Sequence, residues 1–105
     1  MDILYEKLKK IKIKPEMYLG KKSLTLLKVY IDGYIDRQFE INNTYATSKF
    51  WHFSEYVQKY YKIKFNRNWE KIINFFTTND EEAFDKFFEL LDEYLKTEET
   101  KQNNI

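Results

Sequence analysis

The sequence predicts an all-α protein: a single compact bundle of about five short helices around an aromatic-rich core. Three observations carry that prediction. Apolar residues recur at i, i+3, i+4 and i+7 through most of the chain, the spacing of one helix face. Nine Phe, nine Tyr and two Trp stand among 105 residues. Each ring side chain buries on the order of 150–250 Å², which helps a small domain enclose a core. Backbone breakers are scarce, with one proline and two glycines.

The first helix covers residues 2–11, with Ile3, Leu4, Leu8 and Ile11 on one side and lysines on the other. The stretch "IKIKPEMYLGKKSL" (11–24) follows. Pro15 removes a backbone donor and pushes Lys14 out of helical geometry. Gly20 takes a left-handed backbone that other residues resist. This segment reads as a helix-joining plug: Pro15 forces an extended turn, Met17 and Tyr18 fill the core, and Gly20 reverses the chain. Ser23 caps a second helix running to about Asn42. Its buried stripe is Leu24, Leu27, Ile31, Tyr34 and Ile35. Gly33, in its middle, costs about 1 kcal/mol relative to Ala, which predicts close approach of another helix.

"NNTYATS" (42–48) is a polar connection. A third helix over about 49–61 carries Phe50, Phe53, Val57, Tyr60 and Tyr61 at core spacing. In "KIKFNRN" Ile63 and Phe65 alternate with lysines, which allows a brief extended piece. Asn66 or Asn68 caps a fourth helix with Trp69, Ile72, Ile73 and Phe76 inward. "TTND" ends it, and Asn79 or Asp80 caps a fifth. Glu81, Glu82 and Asp85 fall near its start, where the helix dipole favours negative charge. Its stripe is Phe84, Phe87, Phe88, Leu91, Tyr94 and Leu95. The domain therefore covers 1–96, and the polar tail at 97–105, "TEETKQNNI", should fray.

Composition narrows the function. The chain has no cysteine, which favours a reducing compartment. Its charged start is unlike a signal peptide, and no apolar run approaches the ~20 residues of a membrane span. A cytoplasmic location is expected. His52, between Trp51 and Phe53, reads as a partly buried structural residue and not as a general acid or base. One His and no Cys leave no metal motif, and no glycine-rich phosphate loop exists. No cofactor and no enzymatic activity are expected. "KIKPEMYLG" is similar to a segment near the start of the ATPase domain of the DNA gyrase B subunit. The helix after it lacks that family's acidic and amide pattern, and its Asp-x-Gly-x-Gly segment is absent, so no ATPase is expected.

The net charge of +1 hides a strong alternation. Residues 1–28 hold eight lysines against three acids, and residues 75–105 hold three lysines against nine acids. On the second helix Asp32, Asp36 and Glu40 stand at i, i+4 and i+8. They repel one another by a few tenths of a kcal/mol per pair, so the row opposes helix formation slightly. On the last helix Glu82, Asp85, Glu89, Asp92 and Glu93 lie opposite the aromatic stripe. Were the two rows neighbours, they would form a negative face able to steer a basic partner. Lys7, Lys9, Lys10, Lys12, Lys14, Lys21 and Lys22 form a basic counterpart, with Tyr5 and Tyr18 nearby. That alternative, nucleic-acid binding or regulation, is weakened by the single Arg within residues 1–66, since Arg is the usual base reader.

The words "IKIKPEMYLGKKSLTLLKVYIDGY" (11–34), "FWHFSEYVQKYY" (50–61), "NWEKII" (68–73) and "EEAFDKFFELLDEY" (81–94) occur in an order that resembles a group of small bacterial immunity proteins. These are the immunity partners of contact-dependent inhibition and related polymorphic toxin systems. The chain departs from the expected pattern at Glu16, where Gly would follow the proline. The resemblance implies a cytosolic, non-enzymatic protein that binds a cognate toxin and blocks its active site or substrate access. Many such toxins are nucleases with basic clefts. The contact candidates Asp32, Asp36, Glu40, Asp85, Glu89, Asp92 and Glu93 come from the charge map alone.

Overall fold

The computed structural model describes residues 3–42, 50, 52–64 and 67–103, with side chains through 98 except that of 42. Six helices and no strand form among these residues. They are α1 (Ile3–Ile13), α2 (Pro15–Leu19), α3 (Leu24–Asn42), α4 (Phe53–Tyr60), α5 (Trp69–Phe75) and α6 (Asp80–Asn103). No helix among them is long and apolar enough to cross a membrane.

In α1 the stripe of Leu4, Leu8 and Ile11 is buried, and Tyr5 joins it. Ile3 does not: it lies roughly 100° around the helix from Leu4 and is exposed. The Pro/Gly plug holds a short helix of its own. Pro15 occupies the first position of α2, where its missing N–H costs nothing and its fixed φ suits the helix. Lys14 before it is non-helical, with φ −132° and ψ 67°. Gly20 ends α2 at φ +85°, its N–H donating to Glu16 O at 2.9 Å. The helical turn carries Met17 away from buried Pro15, so Met17 is 72% exposed and is not a core plug. Tyr18 and Leu19 are half-buried against the core instead.

Ser23 caps α3 as its residue type predicts. Its Oγ accepts the Leu26 N–H at 3.1 Å. Leu24, Leu27 and Ile31 are fully buried, and Tyr34 and Ile35 are half-buried. The expectation for Gly33 fails. A Cβ built there meets nothing within 4 Å, so no helix among the described residues approaches it closely.

The connection at 43–49, the predicted helix start at 49 and Trp51 lie outside the described residues. Phe50 is buried beside α4, with Phe53 and Val57, whereas Tyr60 is exposed and Tyr61 half-buried. Helix α4 ends in a paired turn. Lys62 takes a left-handed φ of +58°. The Ile63 N–H donates to Gln58 O at 2.9 Å, and the Lys62 N–H to Lys59 O at 3.2 Å, the double bond of a Schellman motif. No strand forms over 62–64; Phe65 and Asn66 lie outside the described residues. Asn68 caps α5, its Oδ1 accepting the Lys71 N–H at 2.9 Å. Trp69, Ile72 and Ile73 are buried. Phe76 falls just past the helix end, out of the periodic stripe, and is exposed.

Helix α6 is capped by Asn79, whose Oδ1 accepts the Glu82 N–H at 2.8 Å. Glu82 reaches back to the Thr78 N–H, a variant of the capping box. The helix continues to Asn103, past the end expected near Lys96. Once nucleated, a helix propagates cheaply through good formers such as Lys, Glu and Gln. At 24 residues it spans about 36 Å and packs against α3, α4 and α5. Phe53 is the hub of the ring cluster. Its centroid lies 5.4 Å from Phe50 and Phe87, 5.6 Å from Tyr94 and 5.8 Å from Trp69.

Asp80 joins two helix starts. Its carboxylate accepts from Ser23 Oγ, from the Thr25 N–H at 3.1 Å and from Thr25 Oγ1 at 3.2 Å. The first residue of α6 thus serves orphan donors at the amino end of α3. Burial pushes the Asp80 carboxyl up, but the bonds from Ser23, Thr25 and the Leu24 N–H outweigh it. The net shift is below the usual carboxylate range.

Candidate functional site

The seven carboxylates singled out by the charge pattern separate into two settings. On α3, Asp32 pairs with Lys28 one turn earlier, and Glu40 pairs with Arg37 at 3.1 Å. Asp36 has no ion-pair partner among the described residues. Asp32 and Asp36 stand at a groove of about 360 Å³, with Lys28 beside Asp32 and with other walls from Ile35, Phe50, Ser54, Asn68 and Trp69. The apolar wall comes from core residues, Phe50 and Trp69 packing edge to face at 5.8 Å.

On α6 the carboxylates are tied to the protein itself. Asp85 holds Lys22 at 2.8 Å, and Asp92 holds Lys12 at 3.7 Å. Glu89 holds Lys86 at 3.5 Å, and Glu93 accepts from the Tyr56 hydroxyl at 3.3 Å. Burial, then the Glu93 charge, pushes the Tyr56 phenol up, so it donates and stays neutral. Exposed pairs like these contribute little stability, but each lysine offsets part of the field of its acid. None of the α6 carboxylates lines the α3 groove. The structure therefore does not join the two rows around one groove.

The basic cluster is partly consumed by the same pairs. Lys12 Nζ lies 5.7 Å from the Phe88 ring centre, and Lys22 Nζ 5.9 Å from that of Phe84. Both ammoniums thus lie within cation–π range as well as holding an acid.

His52 is exposed and not partly buried. It directly precedes α4, with Nδ1 3.8 Å from Glu55 Oε2. A groove of about 450 Å³ there includes Tyr56, Lys59 and Tyr94. Burial, followed by the charges of Glu98 and Glu55, pushes the Tyr94 phenol up to about 12, so it is no base near neutral pH. Among the described residues no three His, Cys, Asp or Glu side chains are grouped to hold a metal ion.

A second surface was not apparent from the pattern. At the corner of α4, α5 and α6, Phe75 is 80% exposed, and Phe76 and Tyr60 are exposed beside it. Phe76 stacks on Tyr61 with centroids 4.4 Å apart and planes 6° from parallel. Tyr60 meets Tyr61 edge to face at 4.8 Å. The signal was the doublet Phe75-Phe76, of which a helix stripe accounts for only one ring.

Comparison with known proteins finds no matching family, no matching curated protein and no matching solved structure.

Proposed function

We propose that the chain is a protein-binding domain that acts by docking and not by turnover, neutralising a cognate bacterial toxin. The observation that carries the reading is the α3 groove. Asp36, without an ion-pair partner among the described residues, and Asp32 border an apolar wall of Phe50 and Trp69. An aromatic surface edged with carboxylates is suited to a basic protein partner: the rings supply contact area, and the acids steer approach and set register. The sequence resemblance to immunity proteins supports the same reading, and a nuclease with a basic cleft is the toxin type that fits. The charge pattern places Glu40 one turn further along the same row. On α6, Asp85, Glu89, Asp92 and Glu93 act first as intramolecular anchors.

The reading expects a toxin gene next to this one, and the test is association with the product of the neighbouring gene, followed by surface plasmon resonance at two salt concentrations. Reversing both Asp32 and Asp36 to Lys is expected to slow association by about tenfold or more at low salt, and by less at high salt. Protection of growth should fall with it. Association unchanged by the double reversal removes the α3 row from the binding surface. Absence of any complex with the native chain removes the toxin reading.

A further inference from the structure

We propose that the ring surface at the α4–α5–α6 corner is a self-association site whose occupant is a second copy of this chain. Four rings, Tyr60, Tyr61, Phe76 and Phe75, run in unbroken contact across it. The last of them presents four-fifths of its surface to solvent. Exposed aromatic patches of this kind mark interaction sites.

Charge decides what covers it. Two grooves meet at Phe76. One, of about 470 Å³, runs past Phe75 and Ile63, and the charged residues among its described lining are Arg67 and Lys71. The other, of about 440 Å³, runs past Tyr60 and Tyr61 and carries Glu82, Asp85 and Glu89 with Lys86. The surface is thus basic in one groove and acidic in the other, with the shared ring between them. A partner of one charge sign gains in one groove and loses in the other. A second copy turned by a twofold axis near Phe76 lays its basic groove on the acidic one and its acidic groove on the basic one. That is the self-complementarity an isologous dimer needs. Lys22 and Lys86 already neutralise part of the acidic groove. The rings therefore supply the affinity, and the charges fix the orientation. This surface shares no lining residue with the α3 groove, so a dimer leaves that groove open.

Sedimentation equilibrium on the purified full chain, at micromolar to millimolar concentration, tests the proposal. The native chain is expected to dimerise. Phe75→Ala is expected to weaken the dimer about tenfold with an unchanged circular dichroism spectrum, since the ring is exposed. Lys71→Glu and Glu89→Lys should each weaken their own dimers. An equimolar mixture of the two should associate more tightly than either alone, because the reversed charges then face opposite signs across the axis. A native chain monomeric throughout the range overturns the proposal. So does a dimer indifferent to Phe75→Ala. A mixture no tighter than its components overturns the twofold arrangement.

Discussion

The two halves of the chain enclose their shared core with different side chains. Through α3, the fully buried residues are aliphatic: Leu4, Leu8, Ile11, Leu24, Leu27 and Ile31. From Phe50 onward, Phe50, Phe53, Trp69, Phe84, Phe87, Phe88 and Tyr94 are buried in one linked network of ring contacts, beside the aliphatic Val57, Ile72, Ile73, Leu90 and Leu91. Aliphatic side chains adapt in shape and close over one another. Rings are rigid, and their edge-to-face contacts leave clefts where helix ends meet. All three grooves proposed for docking are bordered by rings of the second half, although the α3 groove also takes Lys28, Asp32, Ile35 and Asp36 from the first. The lesson is that the half chosen for bulk is also the half that shapes the surface.

The largest expected effect tests that division. Phe53→Ala should cost about 4 kcal/mol and Leu27→Ala about 3 kcal/mol, read as urea midpoints at constant slope. A larger loss at Leu27 would break the comparison by placing the anchor in the aliphatic half.

Next comes the joint between the halves, Asp80. Asp80→Ala should cost about 1–2 kcal/mol at neutral pH, the range of a lost helix cap. The sign with pH follows from the shift. The Asp80 carboxyl is held below its ordinary 3.8 in the folded protein. Its contribution is therefore complete above that value and is lost as pH falls through the lower folded-state one. The stability gap between native and variant should close on acidification. A gap constant from neutral pH to strong acid would show that the carboxylate charge has no part in the joint.

A smaller pair of effects sets one left-handed helix end against the other. Gly20 and Lys62 both have positive φ, but only the first is glycine. Lys62→Gly should stabilise by about 1 kcal/mol, and Gly20→Ala should destabilise by a similar amount. Thermal melts measure both, and equal signs would contradict the backbone assignment. Smallest is Gly33→Ala, expected to gain about 0.5–1 kcal/mol because the helix is open there. A loss would mean that the site is covered after all.

What was legible in the sequence was local. Ser23, Asn68 and Asn79 cap helices by reaching three residues along the chain, so residue type and position named Ser23 outright and narrowed the other two to Asn66 or Asn68 and to Asn79 or Asp80. The stripes of α1, α3 and α6 followed from their period. Errors gathered at helix ends. Ile3, Met17 and Phe76 each sit where a shift of one residue turns a side chain by roughly 100°, from core to water. Gly33 misled because its explanation required a neighbour that only tertiary structure could supply or withhold. The seven carboxylates were visible as rows. Their separation was not, since it depends on which lysines α1 and the α2–α3 turn deliver to α6.

The Asp80 joint also ties two distant parts of the chain together. Ser23 provides part of the α3 cap by itself, but the Thr25 N–H has its carboxylate acceptor 55 residues further along. A chain in which α6 has yet to dock leaves that donor to water, so the start of α3 is complete only when the two helix starts have met.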